Sequence, residues 1–290
     1  MSNAVAPGAG LAPKDYLAKA EGLPPAPRVL PHLLSLLSDP ECETNQVIEL
    51  VSFDPGLTAA VLRTCNSAAF GLTRPVTDID EAVKHLGLLK LQQLVTVAVG
   101  SRALQSSSVP LPARVQLWEH SVTTALAAQI LARDLNLDEG TQFTAGLLHD
   151  IGKTVFAATW REEYLALLLA TAASPQELVS SEEERYQVNH GELGGRLLAY
   201  WKFPPVISAS VWHHCAPKPG LPFVRETACL TLAEAIAERT AAAVGVSLPF
   251  TPGQETALSI LDFTPDTMHT YVLRTQENFA FVNAMCQMRS

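Results

Sequence analysis

Charge is scarce in this 290-residue chain. Only 17% of its residues are Asp, Glu, Lys or Arg, and the formal balance is −9. No lysine-arginine cluster interrupts the acidic balance, and a surface of that sign repels phosphate backbones, which argues against nucleic-acid binding. Cysteine is sparse as well. The five, at 42, 65, 215, 229 and 286, form no Cys-x-x-Cys pair and leave one odd. That usage suits a reducing cytoplasm and not a disulfide framework. No apolar run approaches the ~20 residues of a membrane span. Met1-Ser-Asn-Ala-Val-Ala-Pro-Gly8 also lacks the basic and apolar regions of a secretory leader. The expectation is a soluble cytoplasmic protein with no membrane and no nucleic-acid partner. Period-two alternation of β-branched residues is almost absent, so strands are not expected.

Apolar residues make up 48% of the chain, enough to build one large core or two modest ones. Helical periodicity and repeated Pro, Ser and Asp caps predict an all-α protein. Residues 1–13 read as a tail with little to pack, and 14–105 as an amino-terminal helical subdomain. Within it, Leu23-Pro-Pro-Ala-Pro27 closes a short helix, and Thr44 caps a helix through Val51. Asp54-Pro55 and Asp78 open two more, the second closed by Gly87, and a further helix covers Leu88–Leu104. Two helices meeting near Gly87 could belong to a DNA-reading helix-turn-helix, but the near absence of basic residues there argues otherwise. Ser106–Pro112 anchors a connector over 106–113. A second helical subdomain then spans 114–245, and carboxy-terminal helices span 246–290.

In the second subdomain Val115–Arg133 is apolar nearly all round and reads as a central helix. Asp138 caps a helix that carries His149 and Asp150 past Gly152 toward Trp160. Ser174-Pro175 and Ser181-Glu-Glu-Glu184 each read as a helix start, the latter as a capping box. His190-Gly-Glu-Leu-Gly-Gly195 begins a helix whose glycines permit close packing. Pro205 opens one that reaches Trp212-His-His214. Ala228–Ala243 is helical, and Pro252 and Pro265 open the last two helices, the final one running to about Met288.

The chemistry gathers at Ala145-Gly-Leu-Leu-His-Asp-Ile-Gly-Lys153. On a helix His149 and Asp150 diverge by about 100°, yet both can reach one metal, or the carboxylate can bridge two. Burying such a pair is costly unless a cation or a salt bridge to Lys153 compensates it. His120, His190, His213 and His214 recur around it along the chain. Imidazole and carboxylate together suit Fe, Mn or Zn. Each residue also has a plainer reading. His213-His214 could be helix-end histidines, and His190 a partly solvated one. Trp118, Trp201 and Trp212 read as core fillers. Cys215 could ligate metal, or it could be a small buried hydrophobe.

The order of one His, then His-Asp, a later His, then His-His resembles the HD superfamily of metal-dependent phosphohydrolases. Leu117-Trp-Glu-His120, Gly146-Leu-Leu-His-Asp-Ile-Gly152 and Trp212-His-His214 resemble more specifically the HDOD group, the HD-related output domain of bacterial signalling. Ser52-Phe-Asp-Pro-Gly-Leu-Thr58, Asn66-Ser67 and Ile79-Asp-Glu-Ala82 resemble its amino-terminal half, and the likeness spans roughly Leu23 to Glu238. It implies an HD-like helical bundle with an added amino-terminal subdomain. It implies His120, His149, Asp150 and Glu234 as ligands of a first metal, with His190, His213 and His214 at a second, for one or two divalent ions. If the protein is active, it implies Asp150 and Lys153 as catalytic residues.

The sequence departs from the phosphohydrolase pattern in three places. Glu234, in Ala233-Glu234, stands where an Asp is expected. Gln116 replaces the Glu of three-metal relatives, and no Gly-Tyr-Pro follows His214. Two functions remain open on this evidence. The first is a signal-transduction output module that keeps an HD-type metal pocket and relays binding of a signalling protein or small phosphorylated ligand. The second is a metal-dependent phosphohydrolase acting on a nucleotide or cyclic nucleotide.

Overall fold

Helices capped by their own sequence follow one another along the computed structural model, which describes residues 29–67, 70–105, 111–171, 174–241 and 248–278. No strand occurs among the described residues. The expected tail 1–13, Leu23-Pro-Pro-Ala-Pro27, residues 106–110 of the connector, the end of the Ala228–Ala243 helix and the run to Met288 lie outside them.

Four helices form the amino-terminal part: α1 (Val29–Leu37), α2 (Thr44–Ser52), α3 (Pro55–Cys65) and α4 (Ile79–Gln105). Glu43, one residue earlier than expected, caps α2 by exchanging hydrogen bonds with Gln46. Asp54 accepts from the Leu57 backbone N–H with Pro55 at the first helical position, as the sequence predicts. Gly87 takes φ 79°, ψ 167° and breaks α4 into two helical segments, a conformation that glycine adopts without steric cost.

The remaining chain contributes α5 (Leu111–Leu135), α6 (Glu139–Leu148), α7 (Ile151–Ala170), α8 (Pro175–Tyr186), α9 (His190–Tyr200), α10 (Pro205–His213), α11 (Val224–Ala241), α12 (Pro252–Leu261) and α13 (Pro265–Glu277). α5 is the central helix. It packs against α4, α6, α11 and α13, and Val122, Ala125, Ala128, Leu131 and Ala132 are fully buried along it. One apolar core runs from Leu30 on α1 through α4 and α6 to Leu230 on α11. A second joins Leu131 to Ile236, Leu258, Met268 and Tyr271. Asp134 fixes α13 to α5 by accepting from the Tyr271 hydroxyl at 2.9 Å and pairing with Arg274.

Three expected elements differ. α5 already begins at Leu111, inside the connector expected over 106–113, because Pro112 falls in its first turn, where a missing N–H costs nothing. The helix capped by Asp138 stops at Leu148, leaving His149 and Asp150 in the turn before α7, where Asp150 adopts φ −91°, ψ 9°. The His149 ring takes the Gly146 carbonyl that the Asp150 N–H would bond in a continuous helix. Ser181 does not begin a helix. The Ser174 side chain caps one helix through Tyr186, and Gln-Glu-Leu-Val-Ser offers nothing to break it before Ser181.

α7 and α9 touch backbone to backbone where both carry glycine. A Cβ on Gly152 would fall 2.0 Å from the His190 carbonyl oxygen and 3.0 Å from the Gly194 nitrogen. Gly152→Ala should therefore cost about 1–3 kcal/mol through forced backbone separation. Ser180→Ala, at an exposed position, should stay within about 0.5 kcal/mol of the parent. Denaturant midpoints measure both, and equal midpoints would contradict the close contact.

Candidate metal centre

Six elements deliver side chains to one point. His120 comes from α5, His149 and Asp150 from the α6–α7 turn, and Lys153 from the first turn of α7. His190 opens α9, His214 and Cys215 follow α10, and Glu234 comes from α11. Gly191 makes the approach of α10 possible, since a Cβ there would lie 3.1 Å from the His214 ring and 3.2 Å from Cys215 Sγ.

Three imidazoles are held from behind. His149 Nδ1 lies 2.8 Å from the Gly146 carbonyl oxygen and His214 Nδ1 lies 2.7 Å from that of Val211. Carbonyls only accept, so each Nδ1 carries a proton and donates outward. His190 Nδ1 donates to Glu182 Oε2 at 2.7 Å, and the His190 backbone N–H donates to the same oxygen at 2.8 Å. Tyr164 donates its hydroxyl to Glu182 Oε1 at 2.5 Å. Outer acceptors of this kind fix the tautomer and aim Nε2 inward, as they do around metal-ligating histidines.

What the rings face is Asp150. Its Oδ2 lies 3.5 Å from His149 Nε2, 4.0 Å from His120 Nε2 and 2.8 Å from Lys153 Nζ, while its Oδ1 lies 3.6 Å from His190 Nε2. Glu234 reaches from the other side, 4.0 Å from His149 Nε2 and 3.8 Å from His214 Nε2. A neutral ring with its proton on Nδ1 offers a lone pair at Nε2, so the contacts of the neutral His149 with Asp150 and Glu234 set lone pair against lone pair. His149 Nε2 and Asp150 Oδ1 are buried without a hydrogen-bond partner. Buried atoms of this kind normally have one. A cation between them satisfies both, and the donor set of imidazole and carboxylate fits Fe, Mn or Zn. His149, Asp150, His214 and Glu234 form one group of mutually close ligand atoms, and His190, His214 and Cys215 form another.

The electrostatics divide the rings. Burial opposes charge on His190 and His214, yet Cys215 beside them overcomes it, holding His190 well above its ordinary value and His214 up at about 9. Burial pulls His120 down to about 4 and His149 well below its ordinary value, leaving both rings neutral at pH 7. Burial alone would raise Asp150, yet His149, Lys153 and His190 hold it well below the carboxylate range. Burial likewise opposes the charge on Lys153, and Asp150 and Glu234 overcome it, keeping the ammonium charged. Burial raises Glu234 to about 7.

Of the residues singled out from sequence, His120, His149, Asp150, Lys153, His190, His214 and Glu234 come together. His213 does not. Neighbouring residues at a helix end point apart, and while His214 turns inward, His213 stacks on Trp212 and feels Lys218 and Glu192 instead. Gln116 is exposed. Sequence reasoning missed Glu182, reading it only as part of a capping box. Leu178, Glu182 and Tyr186 are all buried at i, i+4, i+8, and that stripe would have placed the carboxylate on the inward face. Tyr164→Phe would leave Glu182 Oε1 buried and unpartnered. It should lower stability by about 1–3 kcal/mol, read from urea unfolding, and a neutral result would contradict the hydrogen-bonded role of Glu182.

Two clefts border the cluster. One is lined by Lys153, His190, His214, Cys215, Glu234 and Glu238. The other lies between α4 and the α6–α7 turn, among Gly100, Leu104, Trp118, Leu147, Asp150 and Thr154.

Comparison with known proteins agrees with the resemblance read from the motifs. An uncharacterised protein of Treponema pallidum is 30% identical over 205 residues, covering 69% of this chain, and the chain spans only 39% of that relative's length. A candidate phosphohydrolase from Shewanella amazonensis shares the fold at TM-score 0.70 and 24% identity, covering 95% of this chain and 98% of its own. A candidate signal-transduction protein from Marinobacter aquaeolei does so at TM-score 0.77 and 18% identity, covering 96% and 66%. The HDOD domain model matches residues 23–217, two thirds of the chain and every clustered residue except Glu234, and on that ground the chain belongs to the HDOD family.

Proposed function

We propose that the chain is a bacterial signal-transduction output module whose HD-type pocket holds one or two divalent ions, Fe, Mn or Zn, as a regulatory element. The observation that carries this reading is the position of Asp150. Its carboxylate meets His149, His120 and His190 on one side, and the residue borders the cleft against α4 on the other. Whatever neutralises Asp150 therefore acts at the seam between the amino-terminal helices and the HD-like helices. A bound ion would supply Lewis acidity and tie α5, α7, α9 and α11 together. His149, Asp150 and Glu234, with His120 behind Asp150, would hold one ion, and His190 the other. His214 stands within reach of either.

A signalling protein or a small phosphorylated ligand is the partner this reading expects, with neither nucleic acid nor membrane involved. No helix among the described residues is long and apolar enough to cross a bilayer. Cys42, Cys65, Cys215 and Cys229 are free thiols, consistent with a cytoplasmic setting.

The second reading, a phosphohydrolase acting on a nucleotide or cyclic nucleotide, draws on Lys153, a charged ammonium lining the open cleft beside Asp150. It is the weaker of the two. Lys153 is already bound to Asp150 at 2.8 Å, and Glu234 and Glu238 share the cleft wall, where whatever charge they carry repels a phosphate. Glu234 also carries a methylene more than the expected Asp, and hydrolysis tolerates misplacement of its groups poorly.

Metal analysis of the purified chain, followed by a phosphodiester panel that includes bis-p-nitrophenyl phosphate and cyclic nucleotides, separates these readings. The first expects bound Fe, Mn or Zn without efficient turnover, together with altered amide exchange in α4 when the ion is chelated. His149→Ala/Asp150→Ala should lose the metal and reproduce the α4 change. Efficient metal-dependent cleavage by the parent, abolished in the double variant, would reverse the order of the two functions.

A further inference from the structure

Cys215 belongs to no part of the HD ligand pattern, yet it stands inside the cluster. Its Sγ lies 3.4 Å from His190 Nε2 and 3.4 Å from His214 Nε2. A thiol has one proton and can satisfy one of these nitrogens at a time. Both rings donate their Nδ1 protons outward, to Glu182 and to the Val211 carbonyl, so both turn Nε2 toward one sulfur, and when the rings are neutral two lone pairs face it. Asp150 Oδ1, buried and without a partner, lies 3.6 Å from His190 Nε2.

We infer that Cys215 is a thiolate ligand, sharing with His190 and His214 a cation position selective for zinc or ferrous iron. The spacing fits coordination of one ion by the three side chains. Zinc bonds of about 2.3 Å to sulfur and about 2.0–2.1 Å to nitrogen place ligand atoms about 3.6 Å apart along a tetrahedral edge. The two 3.4 Å sulfur–nitrogen separations here are close to that edge. On binding, the thiol proton leaves to solvent and the sulfur lone pair bonds the metal. A soft sulfur donor favours Zn or Fe and disfavours Mg, Ca and Mn, which prefer oxygen. The sharing of His214 adds a constraint. Its single Nε2 lone pair can serve Cys215's ion or join Glu234 at the neighbouring position, not both. This assignment rests on the metal-pocket reading above and narrows it.

Cobalt(II) titration of the chelator-treated full-length chain tests it, because a Co–thiolate bond gives an intense near-ultraviolet charge-transfer band separate from the weak visible ligand-field bands. The parent should show both. Cys215→Ser should lose the near-ultraviolet band and keep visible bands from cobalt held by imidazole and carboxylate. Its zinc affinity should fall at least the 10–100-fold (roughly) that loss of an outer-shell partner already brings. Cys42→Ser should keep both bands. If Cys215→Ser does not fold, site-resolved iodoacetamide labelling of the parent still decides, and zinc should protect Cys215 from alkylation. Visible bands without the near-ultraviolet band, or equal labelling of Cys215 with and without zinc, would overturn the thiolate while leaving the pocket intact. No cobalt uptake at all would overturn both.

Discussion

A carboxylate buried among imidazoles sets the terms for this molecule. Asp150 is 5% exposed and His149 and His214 are fully buried, and moving such groups out of water is costly unless they are paired. Lys153 supplies one charge, bonded to Oδ2. The other oxygen faces His190 Nε2 across 3.6 Å with no proton between them when the ring is neutral. A divalent cation is the partner that satisfies oxygen and nitrogen lone pairs together, and one carboxylate with its two oxygens turned to different histidines can bridge two such ions.

The surrounding fold holds that arrangement in place. The Gly146 and Val211 carbonyls and the Glu182 carboxylate orient three rings, and Glu182 is itself held by Tyr164. Gly152 and Gly191 let α7, α9 and the turn after α10 close to contact distance. These supports lie on different helices, so the cluster is also a tie between helices. On the proposed reading a change in its charge would alter how these helices pack, which is the coupling an output module would use. The same link explains why the seam at α4 matters, since Asp150 borders it directly.

Much of the fold could be read from local chemistry. Pro and Asp at helix starts, Gly87 at a break and an apolar Val115–Arg133 each have one physical meaning, and the structure realises them. The clustering of His120, His149, Asp150, His190, His214 and Glu234 was visible because histidine is rare and its order along the chain carries information. Three features were hidden, each for a definite reason. The end of α6 at Leu148 depends on the His149 side chain competing for a carbonyl, which no propensity expresses. Glu182 sits in a run of three glutamates whose burial is decided by the α8 register alone. His213 and His214 are adjacent and chemically identical, so only the end of α10 determines which turns inward. Cys215 was noticed beside them, but its two nitrogen neighbours come from different helices.

The central claim is that cations occupy the space between Asp150 and the inward Nε2 atoms. Anomalous diffraction from crystals grown with zinc or manganese, recorded at the metal edge, tests it most directly. The account predicts anomalous density within about 2.0–2.2 Å of an Asp150 carboxylate oxygen and of His149 or His190 Nε2. Clear density for the side chains with no anomalous peak there, and Asp150 neutralised by Lys153 and protonated histidines alone, would contradict it.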